Sequence, residues 1–321
     1  MMDRTLFDAE AKVNMARLSD AAAALADERW ARFCLKRGEN ELRAGRSRRW
    51  VPQLTVLAAL RFGREAEFLP VYDQFLLALD SFTKGDWHKR VSEQGLNGSL
   101  LAQSGRLAQT VEAFNPEFDR IVRALGPSDE GPVADIGCGG GLWAIKLATI
   151  GYRVIGTEHH DFLVQTARQN AINVGVSDRV EFRLDDICRS ALPAGLCTRA
   201  LCIGVTPTLP DVAAFEGLVH HLDEITRPAK DGQTRRVILG SNRWGPSRMT
   251  AVQGILDAAR HDKQSVAQAY SNALRRLSLV EACWWLHPRH VDRLSERFRT
   301  VRFIGEIQDP IDGTRVELLL E

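Results

Sequence analysis

Hydrophobic and polar positions along the chain follow two different rhythms. From Thr5 to about Phe33 the sequence is rich in alanine and free of proline and glycine, which predicts one or two helices. Gly38 to Trp50 is basic (Arg43, Arg46, Arg48, Arg49) and carries two glycines, which predicts an exposed loop. From Val51 to Leu79 the apolar residues Leu54, Leu57, Ala58 and Phe62, then Phe68, Val71, Phe75, Leu76 and Leu79, recur at helical spacings of three and four. Thr83 to Gly98 predicts a loop, Leu100 to Phe114 a helix, and Pro116 the start of another that ends before Gly126.

After the turn formers and charges of Gly126–Pro132 the rhythm changes. Short apolar runs at Val133–Ile136, Val154–Gly156, Val180–Arg183, Ala200–Gly204 and Val237–Gly240 alternate with helical stretches. Alternation of that kind predicts βαβ units and a parallel sheet. Val301–Ile307 and Thr314–Leu320, joined by Asp309-Pro310-Ile311-Asp312-Gly313, read instead as an antiparallel hairpin. The expected organisation is a helical N-terminal cap or dimerisation domain over 1–125 and an α/β domain over 132–321.

Composition narrows the function. Lys+Arg number 42 against Asp+Glu 41, a formal net charge of +1, which argues against a broad nucleic-acid surface. The six cysteines include no CxxC pair, so reduced thiols in a cytoplasmic protein are expected. No signal peptide and no membrane-spanning run is read. No Cys/His grouping has metal-site spacing, and no catalytic metal is expected.

The chemistry concentrates in Val133-Ala134-Asp135-Ile136-Gly137-Cys138-Gly139-Gly140-Gly141, a strand running through glycines into a helix. Glycines let the backbone turn sharply and approach a ligand, and the helix start beyond supplies free N–H groups. The next strand ends in Glu158, about twenty residues on, where such folds put an acid on a ribose diol. The third is followed by Asp185-Asp186-Ile187, where a carboxylate suits the adenine amino group and the Ile187 N–H a ring nitrogen. Leu142 stands where a dinucleotide fingerprint has its third glycine, and Asp135 would repel a pyrophosphate. Asp135 suits a ligand ending in an ammonium group.

These residues resemble the class I methyltransferases that depend on S-adenosylmethionine (SAM), over roughly Pro132 to Glu321. The resemblance implies a Rossmann-like, mostly parallel seven-stranded sheet with an antiparallel C-terminal strand. It implies SAM as cofactor, with Asp135, Gly137, Gly139 and Gly141 along its methionine and ribose. Glu158 would hold the ribose hydroxyls, and His159 would lie near adenine. Asp186, with Asp185 as the alternative, and Ile187 would read the base, and Gly204 closes the cofactor set. The fourth-strand loop reads Thr206-Pro207-Thr208, unlike the Asn/Asp-Pro-Pro-aromatic sequence of family members that act on base amines or glutamine.

The expected activity is therefore methyl transfer to a small-molecule acceptor, in secondary metabolism, with Thr206, Asn242 and Arg243 as candidate substrate contacts. Trp143, Trp244, Trp284, Trp285 and Tyr270 are either core or pocket lining. No histidine is singled out as a base, and the catalytic residues are left unassigned. Two alternatives keep the cofactor: cyclisation of its aminobutyrate arm to azetidine-2-carboxylate with release of methylthioadenosine, and a non-catalytic SAM-binding module. A homodimer through the N-terminal helices is the alternative to a cap.

Overall fold

The computed structural model describes residues 15–43, 51–79, 111–189, 192–226, 234–263, 265–308 and 314–321. The basic run 44–50, the loop expected over 83–98 and most of the helix expected over 100–114 lie outside them. The chain divides into two compact units. One comprises Met1–Thr83, Pro246–Cys283 and Asp309–Thr314, the other Lys84–Gly245, Trp284–Gln308 and Arg315–Glu321. The expected 1–125 and 132–321 division is thus drawn differently, for reasons of packing that local periodicity does not carry.

The first unit is helical: α1 (Met15–Ala23), α2 (Glu28–Arg43), α3 (Val51–Arg61), α4 (Leu69–Leu79), α9 (Arg248–His261) and α10 (Val266–Ala282). Helix α3 is buried from Val51 to Leu60, with Gln53 and Thr55 the polar residues in an otherwise apolar run. One face of α10 is polar yet buried. It meets its neighbours through Ser271 with Ser19, Ser278 with Gln53 at 3.5 Å, and Glu281 with the Tyr72 hydroxyl at 2.8 Å. Buried polar groups need such partners, and three matched pairs fix the register of α10 against α1, α3 and α4.

The second unit is a seven-stranded sheet in the order β3-β2-β1-β4-β5-β7-β6. Its strands are β1 (Val133–Ile136), β2 (Val154–Glu158), β3 (Val180–Leu184), β4 (Arg199–Ile203), β5 (Arg236–Arg243), β6 (Val301–Ile307) and β7 (Arg315–Leu320). Pairings from β3 through β5 are parallel, and β7 is antiparallel to both β5 and β6. The fold is Rossmann-like, as the alternating pattern and terminal hairpin predicted. On one face α5 (Val111–Leu125), α6 (Leu142–Thr149) and α7 (Asp161–Val174) bury Phe114, Ile121, Trp143, Leu147 and Val164. On the other, α8 (Val212–Ile225) and α11 (Pro288–Leu294) bury Phe215, Leu222, Trp284 and Leu294.

Helix α5 runs across Pro116 rather than starting there. Proline removes one backbone donor, but Phe114 and Phe118 on either side both pack against Trp143 and hold the helix through it. Arg120 of α5 makes a bidentate bond to Glu317 of β7 (2.5 and 2.8 Å), whose side chain is fully buried. A Cβ on Gly305 of β6 would collide with both groups.

The expected linker Gly126–Pro132 is pinned to the amino ends of the strands. Arg199 is fully buried and donates to the Pro127 and Gly131 carbonyls, while its guanidinium lies over the Tyr152 ring. Tyr152 donates to the Gly126 carbonyl, and Arg236 donates to the Leu125 carbonyl (3.1 Å) and to Glu130 (2.8 Å). Burial lowers the Arg199 pKa below its ordinary value, partly offset by Glu130.

Candidate active site

The carboxyl ends of β1, β2, β3, β4 and β5 carry the groups that the sequence singled out, and all of them belong to the sheet unit. The glycine turn after β1 needs left-handed backbone at Gly137 (φ 68°), Gly139 (φ 54°) and Gly141 (φ 89°), a region costly for side chains with a Cβ. A Cβ on Gly137 would strike Val205, so the turn lies against the loop leaving β4.

Asp135 and Glu158 are both buried beside this turn and are charged differently. Asp135 Oδ2 accepts from the Ala144 N–H at the start of α6 (3.0 Å). Burial pushes its pKa up to about 7, the Ala144 bond pulls it down, and the neighbouring Glu158 charge pushes it up again. Burial also pushes Glu158 up. There the His159 side chain and the His160 N–H more than compensate, and Glu158 sits below the usual carboxylate value. Its Oε1 accepts from the backbone N–H of His159 (2.9 Å) and of His160 (3.0 Å) and lies 3.0 Å from His159 Nδ1. Among the described residues Oε2 accepts only the Gly139 N–H (3.1 Å), which leaves it room for a further donor. Two adjacent acids thus divide the work: one holds a proton near neutrality and the other holds the charge.

Ligand atoms of Glu158, His159 and His160 lie within 4.8 Å of one another, a grouping able to hold a metal ion. These three residues are consecutive, so no Cys/His spacing in the sequence marks them.

The two candidates for reading adenine are placed differently. Asp185 is half-buried, and its buried Oδ2 has no hydrogen-bond partner among the described residues. Asp186 is exposed, and its Oδ1 accepts from the Cys188 N–H (3.0 Å), capping the short turn Ile187–Arg189. A buried acceptor without a donor is costly, and it points to a ligand that supplies one. Ile187 is buried. Gly204 has positive φ (76°) and open space where a side chain would project.

Among the substrate candidates, Asn242 is corrected. A register shift between Leu239 and Asn242, with Ser241 at φ 55°, bulges β5 and turns the Asn242 side chain inward. It is fully buried, and its Nδ2 donates to the carbonyls of Leu239 (2.7 Å) and Val316 (3.0 Å). Its Oδ1 accepts from the Thr206 hydroxyl, so both residues lock the β4 loop to β5 instead of facing a substrate. Thr206 is likewise buried. Arg243 is half-buried, its guanidinium 5.5 Å from the centre of the Trp285 ring.

Trp143, Trp284, Trp285 and Tyr270 are all buried, and Trp284 stacks with both Phe215 and His290, whose own ring centres lie 5.6 Å apart. His290 is buried and accepts from the His287 N–H at the start of α11 (3.0 Å). Sequence reasoning also missed how the segment 284–286 is laced through this end of the sheet. The Trp284 N–H donates to the Pro207 carbonyl (3.0 Å), Leu286 N–H to the Arg243 carbonyl and Gly245 N–H to the Leu286 carbonyl (both 2.8 Å). No local motif marks it, since its partners are distant backbone carbonyls.

The comparisons address this half of the molecule. A family model described as a methyltransferase domain matches residues 133–229. A 23S rRNA (uracil-C5) methyltransferase of Dechloromonas aromatica is 32% identical over 96 residues, 24% of this chain and 22% of that protein. A ubiquinone biosynthesis O-methyltransferase of Chelativorans sp. is 34% identical over 80 residues, 25% of this chain and 31% of that protein. The chain thus spans less than a third of either curated relative. Among solved structures, the N-methyltransferase NodS of Bradyrhizobium japonicum matches with TM-score 0.49 and 12% identity, covering 74% of this chain and 99% of that one. Magnesium protoporphyrin IX methyltransferase of Synechocystis matches with TM-score 0.47 and 16% identity, covering 73% and 92%. Among the described residues no helix is long and apolar enough to cross a membrane. Residues 133–229, which carry the glycine turn and both acids, thus match a methyltransferase domain, the kind of domain that the resemblance read in the sequence implied.

Proposed function

We propose that the chain binds SAM at the carboxyl ends of β1 to β4 and transfers its methyl group to a small-molecule acceptor. One convergence carries the reading: a turn of left-handed glycines, an ionised Glu158 with acceptor capacity left on Oε2, and a buried oxygen of Asp185 with no partner among the described residues. Those features fit a nucleoside that brings hydroxyl and amino donors. In this reading Asp135 and the glycine turn lie along the methionine part, Glu158 takes the ribose hydroxyls, and His159 borders the base. Asp185, in preference to the exposed Asp186, takes the adenine amino group beside the Ile187 N–H. Gly204 leaves space next to the transferred group.

When bound, SAM supplies a methyl group activated on a sulfonium. The chain's own contribution is to hold and align the partners. The Thr206–Asn242 lock and the Trp284–Pro207 bond fix the loop after β4, and Val205 presses that loop onto Gly137. Alignment of this kind lowers barriers by about 7–11 kcal/mol in well-oriented systems. Near-zero net charge and the Thr206-Pro207-Thr208 loop support a small-molecule acceptor over RNA. The matches to curated relatives span too little of those proteins to carry an acceptor across. Secondary metabolism in the cytoplasm is the proposed setting.

The test is calorimetry with S-adenosylhomocysteine on wild type and Glu158→Gln. The variant should bind about 1–3 kcal/mol more weakly, through loss of charge-assisted bonds to the ribose. Equal affinities in two folded proteins would remove Glu158 from the site. In turnover assays S-adenosylhomocysteine is the expected product, and methylthioadenosine in its place would overturn methyl transfer.

A further inference from the structure

Glu158, His159 and His160 leave β2 in succession, yet each brings a ligand atom to within 4.8 Å of the other two. Extended backbone would send successive side chains to opposite faces, so the gathering needs a cause. Glu158 Oε1 supplies it by accepting the backbone N–H of both following residues, which turns the chain about the carboxylate. The two imidazole rings then lie with their centres 3.8 Å apart, and His159 Nδ1 is 3.0 Å from Oε1. Both ends of the cluster are anchored. Oε2 accepts the Gly139 N–H, and His160 is the residue from which α7 starts. Glu158 is buried, His160 half-buried and His159 exposed, which opens the cluster to an ion from solution. Among the described residues no other three Cys, His or acidic side chains meet in this way.

Two imidazole nitrogens and a carboxylate oxygen suit a first-row transition ion, with the remaining positions left to water. Magnesium and calcium prefer sets of oxygens. Zinc binds such ligands at about 2.0–2.2 Å, which puts them roughly 3 Å from one another. The Oε1–Nδ1 separation already has that value, and side-chain rotation at His159 and His160 brings in the rest. We propose that Glu158, His159 and His160 bind a zinc-like divalent ion, and that this ion and SAM exclude each other, so the metal holds the protein in a form that cannot take its cofactor. A carboxylate bound to an ion no longer offers its charge to ribose hydroxyls, and the ion sets positive charge beside a cofactor that is itself a sulfonium cation. The exclusion rests on the reading that Glu158 takes the ribose, and the metal site itself can be measured apart from it.

Zinc chloride is titrated by calorimetry into the full chain, first stripped with EDTA and freed of the chelator, with and without S-adenosylhomocysteine. Zinc should bind one to one. Saturating S-adenosylhomocysteine should weaken it at least tenfold, and zinc should weaken S-adenosylhomocysteine by the same factor. Magnesium at equal concentration should leave S-adenosylhomocysteine binding unchanged. His160→Asn removes one imidazole and places a residue favoured at a helix start. It should weaken zinc at least tenfold and keep S-adenosylhomocysteine affinity, measured without metal, within threefold. His159→Ala should also weaken zinc tenfold, and it serves as the test if His160→Asn fails to fold. Replacing the neighbouring His220 and His221 of α8 by alanine should leave zinc affinity within twofold. Absence of one-to-one zinc binding overturns the site, as does wild-type zinc affinity in folded His160→Asn or His159→Ala, or equal loss in the α8 variant. Zinc and S-adenosylhomocysteine binding together at undiminished affinity overturns the exclusion. Failure of S-adenosylhomocysteine to bind the metal-free protein would instead remove the cofactor reading, while zinc binding that depends on His160 would still support the metal site.

Discussion

The two ends of the same sheet handle buried polar groups in opposite ways. At the amino ends, the fully buried Arg199 spends its guanidinium on the Pro127 and Gly131 carbonyls, and Tyr152 and Arg236 take the carbonyls of Gly126 and Leu125. Each of these four carbonyls receives a side-chain donor, while the buried Arg199 Nε has no acceptor among the described residues. At the carboxyl ends, Asp135 is held half-way between charge states, Glu158 keeps an oxygen with capacity to spare, and the buried Asp185 Oδ2 has no donor among the described residues. Spare acceptor capacity thus separates the two ends: backbone carbonyls are met by side-chain donors at one, and carboxylate oxygens keep capacity at the other, where a ligand is proposed to bind.

The largest effect that separates them is expected at the amino end. Arg199→Met removes two charge-assisted bonds, to the carbonyls of the exposed Pro127 and the half-buried Gly131, so urea unfolding should show a loss of roughly 2–5 kcal/mol. S-adenosylhomocysteine affinity of the folded variant should match wild type. A stable Arg199→Met protein, or one that folds but loses the ligand, would erase the distinction between the two ends.

That distinction was partly legible in the sequence. Strand β1 runs over Val133–Ile136 as read, because a four-residue apolar run bounded by Pro132 and Gly137 has few alternatives. Left-handed φ at Gly137, Gly139 and Gly141 follows the same logic, since only glycine adopts it cheaply. Asn242 was not legible: a bulge at Ser241 shifts the register so that a residue just past the predicted strand faces the core. Nor was the grouping of α9 and α10 with the N-terminal helices, because pairs such as Ser19 with Ser271 join positions far apart in the chain. Asp185 and Asp186 are adjacent and identical in type, so only burial tells them apart.

A middle-sized effect tests the divided acids. The folded pKa of Asp135, about 7, stands well above the ordinary aspartate value near 3.9. The native state therefore holds this proton more tightly than the unfolded chain does. The contribution is fully present below pH ~4 and is lost as pH rises through about 7. Asp135→Asn removes that dependence while keeping an acceptor for the Ala144 N–H. Urea titrations at pH 5, 6, 7 and 8 should show the variant gaining on wild type as pH rises, by about 1–3 kcal/mol at pH 8. Parallel stability curves for the two proteins across that range would mean that Asp135 is charged throughout.

The smallest effect is the most discriminating, because it compares neighbours in one loop. Asp185→Asn exchanges a carboxyl acceptor for an amide where the adenine amino group is proposed to bind. S-adenosylhomocysteine affinity should fall by about 0.5–1.5 kcal/mol, in calorimetry at neutral pH. Asp186→Asn leaves an oxygen able to accept the Cys188 N–H, and affinity should stay within twofold. The reverse outcome, loss in Asp186→Asn alone, would return the adenine contact to the residue favoured by sequence. It would also mean that the bare oxygen of Asp185 marks local strain rather than a waiting ligand, and spare acceptor capacity would then fail as the sign of a functional end.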